Sequence, residues 1–370
     1  MKILVISPVY GLSGVPLGQL RLAKSLANIG HKVDLIYGHK QYSKIEKLKN
    51  VNVIFLNKIR VLGMLFPLIK YLLFNKPDII FSAEDHLNVI VIIASILTLS
   101  KAKISVSSRV TPHDTYKYLN VMFSKSWFLK IMFPLVNFRA NVLTCVSKDM
   151  VKQYKKIFST TKQVYAYNIV LTKEAIQKMK EKVEHKWFKN KKTQTIIASG
   201  TLAEWKCFDD LIMAASIMKK KKINFKLLII GGGPDKLFLE NMIKSKGLTK
   251  KVQILKPVLN TLKYFYNSDI FVLSTRVEGM PNVMIEAMMC GCTVVSTDCH
   301  TGPREIIGKN KYGYLSKVNN PNDLAKNIIK AMKDKVSKNK INKIMIKFSE
   351  NNVIRRHFSL LKVERKRWLI

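Results

Sequence analysis

The chain has 370 residues, which against a usual domain of about 100–200 residues predicts two domains and excludes a peptide-sized or disulfide-stapled fold. Hydrophobic residues make up 48% and charged residues 24%, so wholesale disorder is excluded as well. Lys and Arg number 64 against 24 Asp and Glu, a formal net charge of +40, which draws nucleic acid, anionic lipid or a phosphorylated substrate.

Lys2–Ser7 is a continuous apolar run, read as a buried strand rather than a secretory signal because Pro8, Tyr10 and Gly11 end it early. A loop through Gly11, Gly14 and Gly18 leads to a helix predicted over Leu17–Asn28, with Leu20, Ala23, Leu26 and Ala27 on its apolar face and Gly30 closing it. A second strand at His31–Gly38 completes a strand–helix–strand unit, for which right-handed crossover predicts a parallel sheet. Val51–Leu56, Asp78–Ser82, Lys103–Ser107 and Val142–Val146 read as further strands. Helices are predicted between them at Arg60–Phe74, His86–Thr98 and Trp127–Phe138. The apolar stretches Val61–Phe74 and Leu87–Leu99 both fall short of the roughly 18–20 residues that span a bilayer.

This predicts an N-terminal Rossmann-like domain over residues 1–168, followed by a highly charged hinge segment over 169–192. A second strand series follows at Thr195–Ser199, Phe225–Ile230, Val252–Leu255, Ile270–Leu273, Thr293–Thr297 and Gly313–Leu315. Helices near Phe208–Lys219, Lys236–Lys246, Leu259–Asn267, Asn282–Met289 and Pro321–Met332 alternate with it, predicting a second Rossmann-like domain over 193–345. The tail Ser349–Trp368 is helical in pattern, and residues 346–370 are expected to pack back on the N-terminal domain. The fold class is α/β, two Rossmann-like domains whose parallel sheets face a central cleft, with ligand outside the strand C-termini. The five cysteines, Cys145, Cys207, Cys290, Cys292 and Cys299, show no CxxC pair and no zinc spacing, and read as reduced thiols of a cytoplasmic protein.

The most informative stretch is SDIFVLSTRVEGMPNVMIEAMMCGCTVVSTDCHTGPREII, Ser268–Ile307. A strand ends in a Gly-Pro loop, and a helix begins at Pro281 or Asn282. The backbone N–H groups of Gly279–Val283 and the positive helix end are thereby offered to a phosphate or sugar hydroxyls, with Gly279, Met280, Pro281 and Asn282 forming the seat. Glu278 precedes the helix and Glu286 lies about one turn inside it. Either acid alone is an ordinary loop or helix carboxylate.

Together Glu278 and Glu286 resemble the EX7E motif of the retaining GT-B glycosyltransferases of family 4, the glycosyl transferases group 1. ASGTLAEWKCFDDLI is similar to that family's strand–loop–helix segment with a phosphate-binding Lys, and KLLIIGGGPDKLFLENMI to its GxGP turn. The resemblance covers residues 195–332 well and the N-terminal domain loosely. It implies that Glu286 bonds the nucleotide ribose, Glu278 meets the donor sugar, and Lys206 neutralises the donor diphosphate, with Gly233 near the donor. A fixed cation and helix-end amides stabilise a departing diphosphate without metal, so no cofactor and no metal site are expected.

Two departures matter: the family's usual Arg is Thr201 here, and its usual Gly is Cys207. One phosphate cation is therefore missing, leaving Arg276 or Arg304 to compensate or donor affinity lower. In the N-terminal domain Gly14 stands in the position of the family's Gly-rich loop. Many relatives place a His near the donor sugar after the strand here at Lys103–Ser107; SSRVTPHDTY offers Arg109 and His113 as catalytic candidates, and Arg109 suits an acceptor phosphate. Asn57–Lys76 and Lys117–Arg139 mix basic and apolar residues that suit an anionic bilayer surface. The expected function is transfer of a sugar from a nucleotide sugar, a UDP-sugar by preference, to a lipid-linked or polysaccharide precursor at the inner face of the cytoplasmic membrane. The alternatives are a nucleotide-sugar 2-epimerase of the same fold and a basic nucleic-acid-binding protein, although no RNA or DNA module signature is present.

Overall fold

A computed structural model describes residues 1–11, 13–41, 48–112, 121–158, 161–189 and 193–364. The chain forms two compact units, Met1–Ile169 with Phe348–Ile370, and Val170–Lys347. Each is a Rossmann-like α/β unit around its own parallel sheet.

In the first unit β1 (Lys2–Tyr10), β2 (Lys32–Lys40), β3 (Val51–Phe55), β4 (Ile79–Ala83), β5 (Lys103–Ser108), β6 (Val142–Cys145) and β7 (Gln163–Tyr165) lie in the order β3-β2-β1-β4-β5-β6-β7. The central runs β1, β2, β4, β5 and β6 are buried on both faces, as parallel strands between helical layers must be, whereas the edge strands β3 and β7 are only partly buried. Ile3 and Val5 of β1, Val33 and Leu35 of β2, and Ile79 and Phe81 of β4 share one core with the helices Gly14–Asn28 and Glu350–Leu360. The intervening Leu4, Ile6, Ile36 and Ile80 are equally buried. Helix Asp85–Leu97 packs between helix Leu65–Asn75 and helix Lys125–Arg139, and together they form the other layer.

The helix predicted from Leu17 begins at Gly14, because Ser13 is extended and Pro16 falls in the first turn, where a missing N–H costs nothing. Its other end closes as expected: Gly30, at φ +89°, donates to the Ala27 carbonyl while His31 donates to Leu26, a Schellman pair. The expected helix Arg60–Phe74 is a 3-10 turn, Val61–Met64, followed by the α-helix Leu65–Asn75. The tail helix spans Glu350–Leu360 rather than reaching Trp368, which lies outside the described residues. Ser25 on the helix Gly14–Asn28 donates to the Glu350 carboxylate at 2.6 Å, tying the tail to this unit.

In the second unit β8 (Thr195–Ser199), β9 (Lys226–Ile230), β10 (Val252–Leu255), β11 (Ile270–Leu273), β12 (Thr293–Thr297) and β13 (Tyr314–Ser316) run β10-β9-β8-β11-β12-β13. Ala198, Leu227, Ile229, Ile270 and Val272 bury one face against the helices Phe208–Lys220, Lys236–Ser245 and Pro321–Lys333. The segment 170–189 belongs to this unit: Asn260 donates to the Lys178 carbonyl and to Glu181, both at 2.8 Å.

Candidate active site

In both sheets the order reverses beside the first strand of the unit, between β1 and β4 and between β8 and β11. There the outgoing loops part in opposite directions and leave a crevice outside the strand C-termini, the usual ligand position in open α/β sheets. The loop after β8 carries Thr201 and Lys206, and the loop after β11 carries Glu278.

Lys206 and Glu278 meet there in a direct, largely buried ion pair. Their loops are stitched by hydroxyls: Ser274 donates to the Lys206 carbonyl at 2.8 Å and Thr275 to the Trp205 carbonyl at 3.0 Å, while the Arg276 N–H reaches that same Trp205 oxygen at 2.9 Å. A third loop, after β12, supports Glu278 from behind. Thr301, itself buried, donates its hydroxyl to the Glu278 carbonyl. Gly302 sits at φ +90°, where a side chain would come within 2.8 Å of the Pro281 ring and 3.1 Å of the Gly279 carbonyl. The neighbouring Cys299 thiol is pushed up to about 12 by burial and then by the Glu278 charge, so it stays protonated.

Gly279, Met280 and Pro281 form the turn into the helix Asn282–Met289, and the expected row of helix-end donors is shorter than the sequence reading has it. Pro281 has no N–H, and the Asn282 N–H turns back to the Met280 carbonyl at 2.9 Å. The Met280 side chain is buried, so that residue offers only its backbone. Glu286 lies in the same helix and is buried.

Thr201 is exposed on its loop. Arg276 bonds Asn319 at 2.6 Å and approaches Glu204 at 3.6 Å, and Arg304 is paired with Asp298. Both candidate substitute cations are thus engaged by acids or amides of their own surroundings. Gly233 serves the architecture: a Cβ there would lie 2.3 Å from the Leu202 carbonyl. The turn therefore closes on the β8 loop, with Leu202 donating to Gly232 at 2.9 Å and Asp235 donating back to Leu202 at 3.0 Å. Cys207 takes a left-handed φ of +49° at the start of helix Phe208–Lys220, a conformation that explains why glycine suits this position.

In the first unit Gly14 is the first residue of a helix rather than part of a free loop. Arg109, just past β5, is held by Asn168 and by Gln19, the latter at 3.2 Å, and burial lowers its pKa to about 10. His113 lies outside the described residues. A residue that sequence reasoning passed over stands at the end of β4: Glu84 has a φ of +82°, costly for a non-glycine residue. Its carboxyl is pushed up to about 7, mainly by burial, with Lys125 opposing and Asp85 reinforcing the shift. His86 lies 3.4 Å away, and burial lowers its pKa to about 4, so this contact is no ion pair at neutral pH. Its place just past the C-terminal end of a strand is the signal that marks Glu84.

Two parallel-sheet Rossmann-like units, with a cation and a carboxylate paired at the switch point of the second, define a nucleotide-scale α/β protein of the GT-B fold class. Residues 179–349, a little under half of the chain, match the family profile described as Glycosyl transferases group 1. An uncharacterised glycosyltransferase of Methanocaldococcus jannaschii is 29% identical over 261 residues, 67% of this chain and 62% of that protein. The N-acetylgalactosamine-N,N'-diacetylbacillosaminyl-diphospho-undecaprenol 4-alpha-N-acetylgalactosaminyltransferase of Campylobacter jejuni is 28% identical over 237 residues, 64% of this chain and 62% of that enzyme. The matched stretch thus spans about three fifths of each relative, 62% in both cases. Among solved structures, Anabaena Alr3699/HepE in complex with UDP and glucose superposes with a TM-score of 0.74 at 17% identity, covering 98% of this chain and 100% of that one. Sucrose-phosphate synthase from Thermosynechococcus elongatus gives 0.76 at 14% identity, covering 98% of each chain. These likenesses establish the fold.

Proposed function

We propose that the chain is a retaining glycosyltransferase of family 4 that moves a sugar from a nucleotide sugar, a UDP-sugar by preference, to a lipid-linked or polysaccharide precursor at the inner face of the cytoplasmic membrane. The observation that carries this reading is the Lys206–Glu278 pair at the β8/β11 switch point. Support comes from the family match, from the UDP held by the Anabaena neighbour and from the diphospho-undecaprenol substrate in the Campylobacter relative's name.

In this reading the donor diphosphate takes the Lys206 ammonium from Glu278, and the freed carboxylate turns to the donor sugar. As the bond from the anomeric carbon to the phosphate oxygen breaks, its electron pair stays on that oxygen, and Lys206 with the backbone of Gly279 and Met280 stabilises the growing charge. The acceptor oxygen bonds to the same face of the carbon and its proton passes to the departing phosphate. Glu286 holds the ribose. No metal is required, because the protein's own cation faces the leaving group.

The test is nucleotide release from UDP- and GDP-sugars in EDTA, with and without membrane lipid extract. Release is expected from at least one donor and falls about 10²–10³-fold in Lys206→Ala, the usual loss for one charge-stabilising group. No release from any donor in either condition overturns the reading.

A further inference from the structure

We infer that the helical layer of the first unit carries a docking surface for an anionic lipid bilayer, formed by the outward faces of helix Leu65–Asn75 and helix Lys125–Arg139. The inference rests on the reading above only for its purpose, delivery of the active site to a lipid-linked acceptor; the surface itself stands on burial and charge.

A helix that covers a sheet turns one apolar stripe inward and polar residues outward. These two helices are apolar on both sides. Leu68, Tyr71 and Leu72 face the core of one, and Leu129, Phe133 and Val136 that of the other. Outside, Leu62, Phe66, Lys70 and Phe74 recur at every fourth position, with Phe66 79% and Phe74 78% exposed. On the second helix and the turn before it, Phe123, Phe128, Ile131 and Phe138 are exposed, the first by 83% and the last by 81%. Single exposed apolar residues are ordinary, but two exposed apolar rows on helices of one layer are not. Helix Asp85–Leu97 lies between them, and just beyond its end Leu99 is 86% exposed beside Lys101.

The charges decide the occupant. Residues 57–76 and 121–139 contain no Asp or Glu, whereas Lys70 stands within the first stripe, Lys58, Arg60 and Lys76 flank it, and Lys125 and Lys130 flank the second. A second copy of a chain at +40 brings charge of the same sign and is repelled. An anionic bilayer complements both features, taking the phenylalanines below its headgroups while the lysines stay among the phosphates. The helices have 11 and 15 residues, and no helix among the described residues is long and apolar enough to cross a membrane, so the surface lies on the bilayer.

Cosedimentation of the full chain with phosphatidylcholine vesicles, with and without phosphatidylglycerol, tests this. Binding is expected only to the phosphatidylglycerol vesicles and falls about tenfold or more in the double variants Phe66→Ser/Phe74→Ser and Lys70→Glu/Lys130→Glu, since each buried ring and each headgroup-paired lysine contributes to the same free energy. These side chains point to solvent, so unchanged circular dichroism melts are expected, and nucleotide release without lipid stays at the wild-type level. Equal binding to neutral vesicles, wild-type binding by both variants, or a concentration-dependent dimer lost in the same variants overturns the docking surface. Loss of nucleotide release from the wild-type chain counts against the enzymatic reading instead and leaves vesicle binding to be judged separately.

Discussion

Lys206 and Glu278 are 72 positions apart in the chain, and nothing in the spacing of either announces the other. Their contact is a product of strand order, because β8 and β11 become neighbours only when the sheet reverses between them. The residues themselves were legible through the motif around them; the ion pair was not. Thr301 was equally hidden, a buried threonine in a loop with no periodicity, whose hydroxyl fixes the Glu278 carbonyl. Thr301→Val keeps the shape and leaves that carbonyl unpaired, at a cost of about 1–3 kcal/mol. Turnover is expected to fall about tenfold while Thr301→Ser recovers most of it. A valine variant with wild-type turnover would show that Glu278 is positioned without Thr301.

At the scale of elements, β8, β10, β11, β12 and the helix Asn282–Met289 begin and end at the residues expected from the sequence. Their runs are short and largely apolar, with Gln253 the polar residue inside β10, and turn-forming or charged residues stand just beyond most of them, which leaves little freedom in where they stop. The strand β7 was missed because Gln163–Tyr165 offers only Val164 as a strongly apolar residue and takes its place from pairing with β6. The tail helix was recognised but extended too far, since the amphipathic pattern continues past Leu360, where the chain turns away.

That helix also carries a pH dependence. His357 is buried against the edge of the Phe81 ring, with Arg109 and Arg356 as the charges facing it. Burial first, then those two cations, lower its pKa to about 3 from an ordinary 6.5. Between these values the unfolded chain binds a proton that the folded chain does not, so this contribution is present above pH 6.5 and is lost as the pH falls toward 3. Glu84 works the opposite way, its raised pKa favouring the fold at low pH. Urea unfolding of His357→Gln at several pH values should therefore show a shallower loss of stability below neutrality than the wild type. Parallel curves would contradict the assignment.

At the scale of the whole molecule, two sheets built on the same plan place their chemistry by the same rule, at the point where strand order reverses. In the second unit that point holds Lys206, Glu278 and the turn into the helix Asn282–Met289; in the first it is framed by Gly14 and Glu84. The fold class follows from alternating strands and helices, which the sequence displays plainly, whereas the side-chain pairing follows from crossings that no local pattern records. The most direct measurement of the central claim is calorimetric titration of UDP and GDP into the wild type, Lys206→Ala and Glu278→Gln, set beside their turnover. The account predicts that Lys206→Ala weakens the preferred nucleotide diphosphate about tenfold or more, as expected for a lost charge-assisted contact, while Glu278→Gln binds it at least as tightly as the wild type and yet loses turnover. Undiminished nucleotide affinity in Lys206→Ala, or full turnover in Glu278→Gln, would contradict it.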